Sequence, residues 1–405
     1  MFRSKRFWVA VLVLLAAAAL AFWLLAAADV VCVARTKVVP DPRITENDAV
    51  FAEAVRDART LAFSSLVRSL DPVTSYFTYE EHPNGTISNA DNDIRQLLAS
   101  RVLAEAAAFD SSYETLHERN LSVIMENWYK EDGEQAYVYA YGKSKLGANA
   151  MLLRVLVASP DFARYATEAK RLAAGILSLM HEDGSFEPWY KEPDYAYDRD
   201  YLLTFYSGEA TLALLEYGEK VKDVAVLTDA RRAEDHYIGA YVDDMSAHYY
   251  PAYVPWHTLA LSHLFNATKD MRYANAIFAL NDKLLELEDM EEFIGRFYDP
   301  ETPEYGSPHA SSDAVYTEGL ATAYAVAKAT GDAAHARAYR GTLTLAFQNL
   351  VNLQYEAPWY RIFDDHTARR KLLGGIMTNA CEAQVRIDST AHAVDAFDAI
   401  LRAVS

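Results

Sequence analysis

The chain has 405 residues, 51% of them hydrophobic and 12% aromatic, with a formal net charge of −19. That length and apolar content supply a sizeable core and exclude a disordered chain. An acidic surface of this kind repels phosphate backbones at long range, so nucleic acid is excluded as a partner.

The first expected element is an uncharged run from Phe7 to Ala28, preceded by Arg3, Lys5 and Arg6. A run of this length crosses the roughly 30 Å hydrocarbon layer as a helix. The basic flank predicts a cytoplasmic N-terminus and an extracytoplasmic body. Residues 1–35 are therefore read as a single-pass signal anchor, preferred over a cleaved signal peptide although Ala26-Ala27-Ala28 resembles a cleavage site. No linker divides residues 36–405, which are read as one domain. The two cysteines, Cys32 and Cys381, build neither a disulfide framework nor a zinc motif. Asn84, Asn120 and Asn266 open glycosylation sequons, a pattern that chance supplies often.

From there two kinds of helix alternate. Charged, amphipathic segments are expected at about 48–70, 113–129, 161–180, 228–242, 271–288 and 333–353. In the third of these, Ala169, Leu172, Ala173, Ile176, Leu177 and Met180 form one apolar stripe opposite Glu168, Lys170 and Arg171. Segments richer in Ala, and apolar around most of their girth, are expected at about 91–108, 144–157, 207–217, 255–265, 313–329 and 388–403. The first set reads as outer helices and the second as inner ones. Inner-to-outer connections such as Thr268-Lys269-Asp270 and Gly331-Asp332 are tight, which forces antiparallel neighbours. Outer-to-inner connections are long and aromatic. Six such hairpins can close into a ring, an all-α (α/α)6 toroid with its long loops gathered into a bowl on one side.

From about residue 45 to 405 the chain resembles the six-hairpin glycosidase superfamily of (α/α)6 toroids, some of them membrane-tethered. The resemblance is carried by the architecture. Local features are Asp183-Gly184-Ser185-Phe186 with Pro188-Trp189-Tyr190, Tyr206-Ser207-Gly208-Glu209-Ala210, Trp256-His257, Thr317-Glu318-Gly319 and Arg386-Ile387-Asp388. It implies a carbohydrate substrate and an enzyme that hydrolyses glycosides, or one that epimerises or eliminates at uronates.

First-turn residues of the inner helices are expected to face the bowl: Lys143, Lys145 and Asn149; Tyr206 and Glu209; Trp256 and His257; Asp313, Tyr316 and Glu318; Arg386, Asp388 and His392. Glycoside hydrolysis needs a protonated acid and a second carboxylate. Glu209 and Glu318 are the expected pair, with Asp388 as the third carboxylate. Each also has a structural reading, because acids in a helix's first turn offset the macrodipole, and Ser207 and Asp313 suit N-caps. Asp388 and His392 share a helix face at i,i+4, either as a proton-transfer pair or as a plain hydrogen bond.

Trp189, Tyr190, Trp256, Trp359 and Tyr360 are candidate stacking platforms for pyranose rings, weighed against burial as loop plugs. For the epimerase or lyase reading, Tyr206, Tyr250 or Tyr316 would move a proton while Arg296, Arg386 or Lys145 holds the uronate. A non-catalytic glycan- or protein-binding scaffold of cell-surface polysaccharide biosynthesis is the alternative outside enzymes. The acidic loop Glu192–Asp200 lacks the glycine and terminal Glu of a calcium loop and reads as solvated. Nucleotide, zincin and serine-hydrolase motifs are absent, so no cofactor or metal is expected.

Overall fold

The computed structural model describes residues 41–288, 294–298, 301–306, 309–355 and 370–405, with residues 14, 16–18 and 20. In chain order, an outer helix α1 (Asp48–Ser69) leads to inner helix α2 (Asp93–Phe109). Outer α3 (Glu114–Trp128) then leads to inner α4 (Leu146–Ala158), and outer α5 (Ala166–Leu177) to inner α6 (Arg199–Val221). Outer α7 (Val224–Ile238) leads to inner α8 (Tyr253–Thr268), and outer α9 (Met271–Leu285) to inner α10 (Ala310–Thr330). Outer α11 (Ala333–Leu353) precedes the last inner helix, α12 (Ile387–Val404).

The inner helices form a closed circle, α2 on α4, α4 on α6, and so on to α12, which returns to α2. Each inner helix except α12 packs on the outer helix that follows it, and α12 packs on α1. Burial follows from this placement. Helix α4 buries every residue from Leu146 to Leu156, whereas α5 buries only Ala169, Leu172, Ala173, Gly175 and Ile176. Each fully buried Leu or Ile contributes about 1.5–3 kcal/mol, so the circle is held mainly by its inner girth.

The tight turns share one device. Lys222, Lys269 and Gly331 end α6, α8 and α10 in the left-handed region, and Asp223, Asp270 and Asp332 follow at once. Each Asp caps the next outer helix, for example by accepting the Arg272 N–H at 2.9 Å. A left-handed C-terminus followed by a capping carboxylate reverses the chain in two residues.

All six short strands lie in outer-to-inner loops. They are β1 (Glu80–Glu81), β2 (Tyr129–Asp132), β3 (Gln135–Val138), β4 (Ser144–Lys145), β5 (Trp189–Lys191) and β6 (Val385–Arg386). Three antiparallel pairs result: β1 with β6, β2 with β3, and β4 with β5. The first joins the loop before α2 to the loop before α12, at Glu80↔Arg386 and Glu81↔Val385.

Several expectations need correction. Helix α6 starts eight residues earlier than the apolar pattern suggested, because Asp198 caps it and accepts the Tyr201 N–H at 3.0 Å. Ser207 is therefore mid-helix and not an N-cap, and its hydroxyl donates to the Leu203 carbonyl at 2.6 Å. Asp313 is not a cap either, since His309 caps α10. Asn120 is fully buried, its amide nitrogen donating to the Ser75 carbonyl, and is closed to glycosylation. Cys381 is disulfide-bonded, so the two cysteines, too few for a framework, leave room for one bridge; Cys32 lies outside the described residues. Among the described residues no helix is long and apolar enough to cross a membrane. Of the expected span Phe7–Ala28 only Leu14, Ala16, Ala17, Ala18 and Leu20 are described, all helical, so the span itself lies largely outside the described residues.

Candidate functional site

The N-terminal halves of the inner helices surround an open cavity of about 260 Å³. Asn92, the N-cap of α2, with Arg95 of α2, Tyr206 and Glu209 of α6, Trp256 of α8, Tyr316 of α10, and Asp388 and His392 of α12 all line it. Chemical groups from distant parts of the sequence thus share one hollow.

Glu209 is its central acid. The residue is 4% exposed, and its Oε2 has no hydrogen-bond partner. Burial raises its pKa to about 7, against the opposing pull of Arg154 and Lys145. Room for the carboxyl comes from Gly147 of α4: a Cβ there would lie within 2.6 Å of the Tyr206 ring and closer still to Glu209 Oε2. Burial likewise pushes the Tyr206 hydroxyl well above its usual pKa.

Asp388 has the opposite character. Arg386 grips it through two bonds of 3.0 and 2.6 Å, and Arg95 Nε reaches it at 2.9 Å. Despite burial, these guanidiniums hold its carboxyl well below the ordinary carboxylate range. The expected pairing of Asp388 with His392 is therefore absent, the carboxylate being taken by arginines, and His392 Nδ1 is left without a partner. Burial lowers the His392 pKa to about 3, so the ring is neutral. It sits against Trp256, ring centroids 5.9 Å apart.

Glu318 departs from its expected role. It is in the third turn of α10, below the bowl, and lines a separate cavity with Arg101, Glu105, Arg154, Glu216 and Asp395. Glu209 and Glu318 thus do not face one hollow. Beneath the bowl, donor atoms of Glu318, His392 and Asp395 lie within 4.8 Å of one another, and Asp395 is already ion-paired with Arg101.

The remaining expected residues are structural in their contacts. His257 faces away from the bowl: Nδ1 is 2.9 Å from Glu234 of α7 and Nε2 is 3.0 Å from Ser207 Oγ of α6, all three buried. Asp313 holds Arg296 Nε at 3.0 Å and the Phe297 N–H at 3.3 Å, which clamps the loop before α10. Lys145 is ion-paired with buried Asp93, and Asn149 accepts the Val138 N–H at 2.7 Å. Trp189 is buried against Tyr197, and Tyr190 stacks on Tyr137 at 4.5 Å. Tyr250 packs edge-on against Tyr201, Phe205 and Tyr305. Lys143 Nζ bonds the Tyr195 hydroxyl at 2.9 Å. Trp359 and Tyr360 lie outside the described residues.

Arg95 and Asn92 were missed in the sequence, although the first-turn rule applied to α2 would have found both.

No known family's profile matches the chain, and no curated protein does. Solved structures share its fold. A D-mannose isomerase superposes with a TM-score of 0.65 at 12% identity, covering 90% of this chain and 100% of that one. A sugar epimerase from a ruminal bacterium gives 0.61 at 12% identity, covering 86% and 98%. An unsaturated glucuronyl hydrolase specific for heparin gives 0.60 at 10% identity, covering 86% and 97%. The fold they share with this chain is the (α/α)6 toroid of six helical hairpins.

Proposed function

We propose that the chain is a carbohydrate-active enzyme working in the bowl, with Glu209 as the proton donor. One observation carries the reading: a buried carboxyl with an unpartnered oxygen and a pKa near neutrality faces an open cavity lined by all six inner helices. Asp388 in the same hollow stays ionised, and two carboxylates driven apart in pKa are what acid-assisted glycoside cleavage requires. Glycoside hydrolysis, with Glu209 protonating the departing oxygen and Asp388 stabilising positive charge on the sugar, is the leading reaction. Same-fold proteins named as hydrolase, isomerase and epimerase support a sugar substrate. In this reading residues 1–35 anchor the body at a membrane, with the bowl on the extracytoplasmic side.

A second reading rests on His392. Its neutral imidazole has an unpartnered nitrogen beside the same cavity. With Glu209 it would exchange a proton at a sugar carbon, as in epimerisation or uronate elimination.

Glu209→Gln keeps the shape and removes the donor, so turnover should drop by about 10²–10⁴ with the melting temperature nearly unchanged. Full activity in that variant overturns the assignment. Solvent deuterium entering the sugar without cleavage selects the His392 reading.

A further inference from the structure

The loop between β3 and α4 holds a backbone that its own sequence does not favour. Ala140 and Lys143 bridge antiparallel, with hydrogen bonds of 3.0 and 3.2 Å, so Tyr141-Gly142 forms a two-residue hairpin turn. Both turn residues have positive φ, 52° for Tyr141 and 78° for Gly142. Asn-Gly is the preferred pair for such a turn. A bulky aromatic at the first position is strained, and strain of this kind collects where a side chain is being aimed.

Tyr141 is 55% exposed, yet its edge is tied down. Its hydroxyl donates to Asp91 at 2.8 Å, next to the cavity residue Asn92, and its ring meets Trp128 at 6.2 Å. Tyr195, on the facing loop, repeats the arrangement: 54% exposed, hydroxyl bonded to Lys143 Nζ, ring under the same ammonium at 5.1 Å. Tyr201, 47% exposed, is in the wall of the bowl, and it and Tyr195 both lie within electrostatic reach of the cavity residue Tyr206. Half-exposed rings with fixed edges are preorganised to stack against apolar faces of flat ligands, at little ordering cost.

We propose that Tyr141 and Tyr195 form a ledge at the mouth of the bowl that binds the outlying sugar units of an oligosaccharide or polysaccharide chain. The inference rests on the sugar-binding reading of the bowl and adds that the substrate is a chain longer than the bowl holds. Continuity with the bowl through Tyr201 selects a glycan strand over a protein partner. The strain at Tyr141 is retained because Asn, which would relieve it, presents no ring.

The test is titration calorimetry on the full chain carrying Glu209→Gln, with manno- and glucurono-oligosaccharide ladders from disaccharide to hexasaccharide. Affinity should rise with chain length. Tyr195→Ala should flatten that rise, and Tyr141→Asn should flatten it while raising or holding the melting temperature, each weakening the longest ligand by about threefold to tenfold. Length-independent affinity, or tyrosine variants that bind like the parent, overturns the ledge. Product formation by the wild type with length-independent binding removes the ledge and spares the bowl. Length-dependent binding with no product from any ladder removes the catalytic reading and spares the ledge. No binding at all removes both.

Discussion

Glu209 is defined by what it lacks. With no hydrogen-bond partner for Oε2, its ionised form has only the distant pull of Arg154 and Lys145 to offset burial. The folded chain therefore holds this proton more tightly than the unfolded one. Stability from Glu209 is fully present below the model-peptide value of 4.5 and is lost as pH rises through about 7. Activity that needs the protonated acid should fall over the same upper window. It should not fall at ordinary carboxylate pH on account of Asp388, which stays ionised. A pH profile of kcat/KM whose alkaline limb lies near the buffer range of free carboxylates contradicts this account. Gly147→Ala provides a second check, because the added methyl occupies the space of the Glu209 carboxyl. Overpacking should cost about 1–3 kcal/mol in denaturant titration, and turnover should fall further than that loss explains.

The helices are tied to one another by buried polar contacts that the sequence does not display as motifs. His257 joins α8 to α7 through Glu234 and to α6 through Ser207, which is why it turns from the bowl while its neighbour Trp256 faces in. Removing one partner leaves the other buried and uncompensated. Glu234→Ala should therefore cost about 1–3 kcal/mol by urea unfolding, beyond a surface substitution. Here the limits of sequence reading are physical. Outer helix α11 was legible to the residue, because an Asp cap and an apolar stripe mark it locally. Inner helix α6 was read eight residues short, since Tyr201, Thr204 and Tyr206 break the small-residue run although the backbone stays helical. Trp256 and His257 are adjacent in sequence and on different helix faces, and only packing decides which one meets the cavity.

At the scale of the whole molecule, closure of α12 onto α1 and α2 brings the two ends of the domain together. Joining the end of α12 to the start of α1 by a short linker, and opening the chain at the exposed Gly331-Asp332 turn, should leave the circle intact. Circular dichroism should then show a native helical spectrum with a single melting transition; a molten spectrum contradicts the closed circle. The alternation of helices made this circle legible, because inner and outer positions differ in how much of their girth is apolar. Membership of the bowl was partly legible. Glu209, Asp388, His392, Trp256, Tyr206 and Tyr316 were expected to face one hollow and do line it, while Glu318 was assigned to the same hollow because depth along a helix cannot be read from proximity to its start.

The order in which the cavity's parts are synthesised has a consequence for when the protein can act. Arg95 leaves the ribosome early, Glu209 midway, and Asp388 with His392 within the final 18-residue helix. A nascent chain holding five finished hairpin partners still lacks the counter-ion of Arg95 and one wall of the hollow. Chemistry should therefore switch on only once α12 has been made, and a chain stalled or clipped before α12 should be inert.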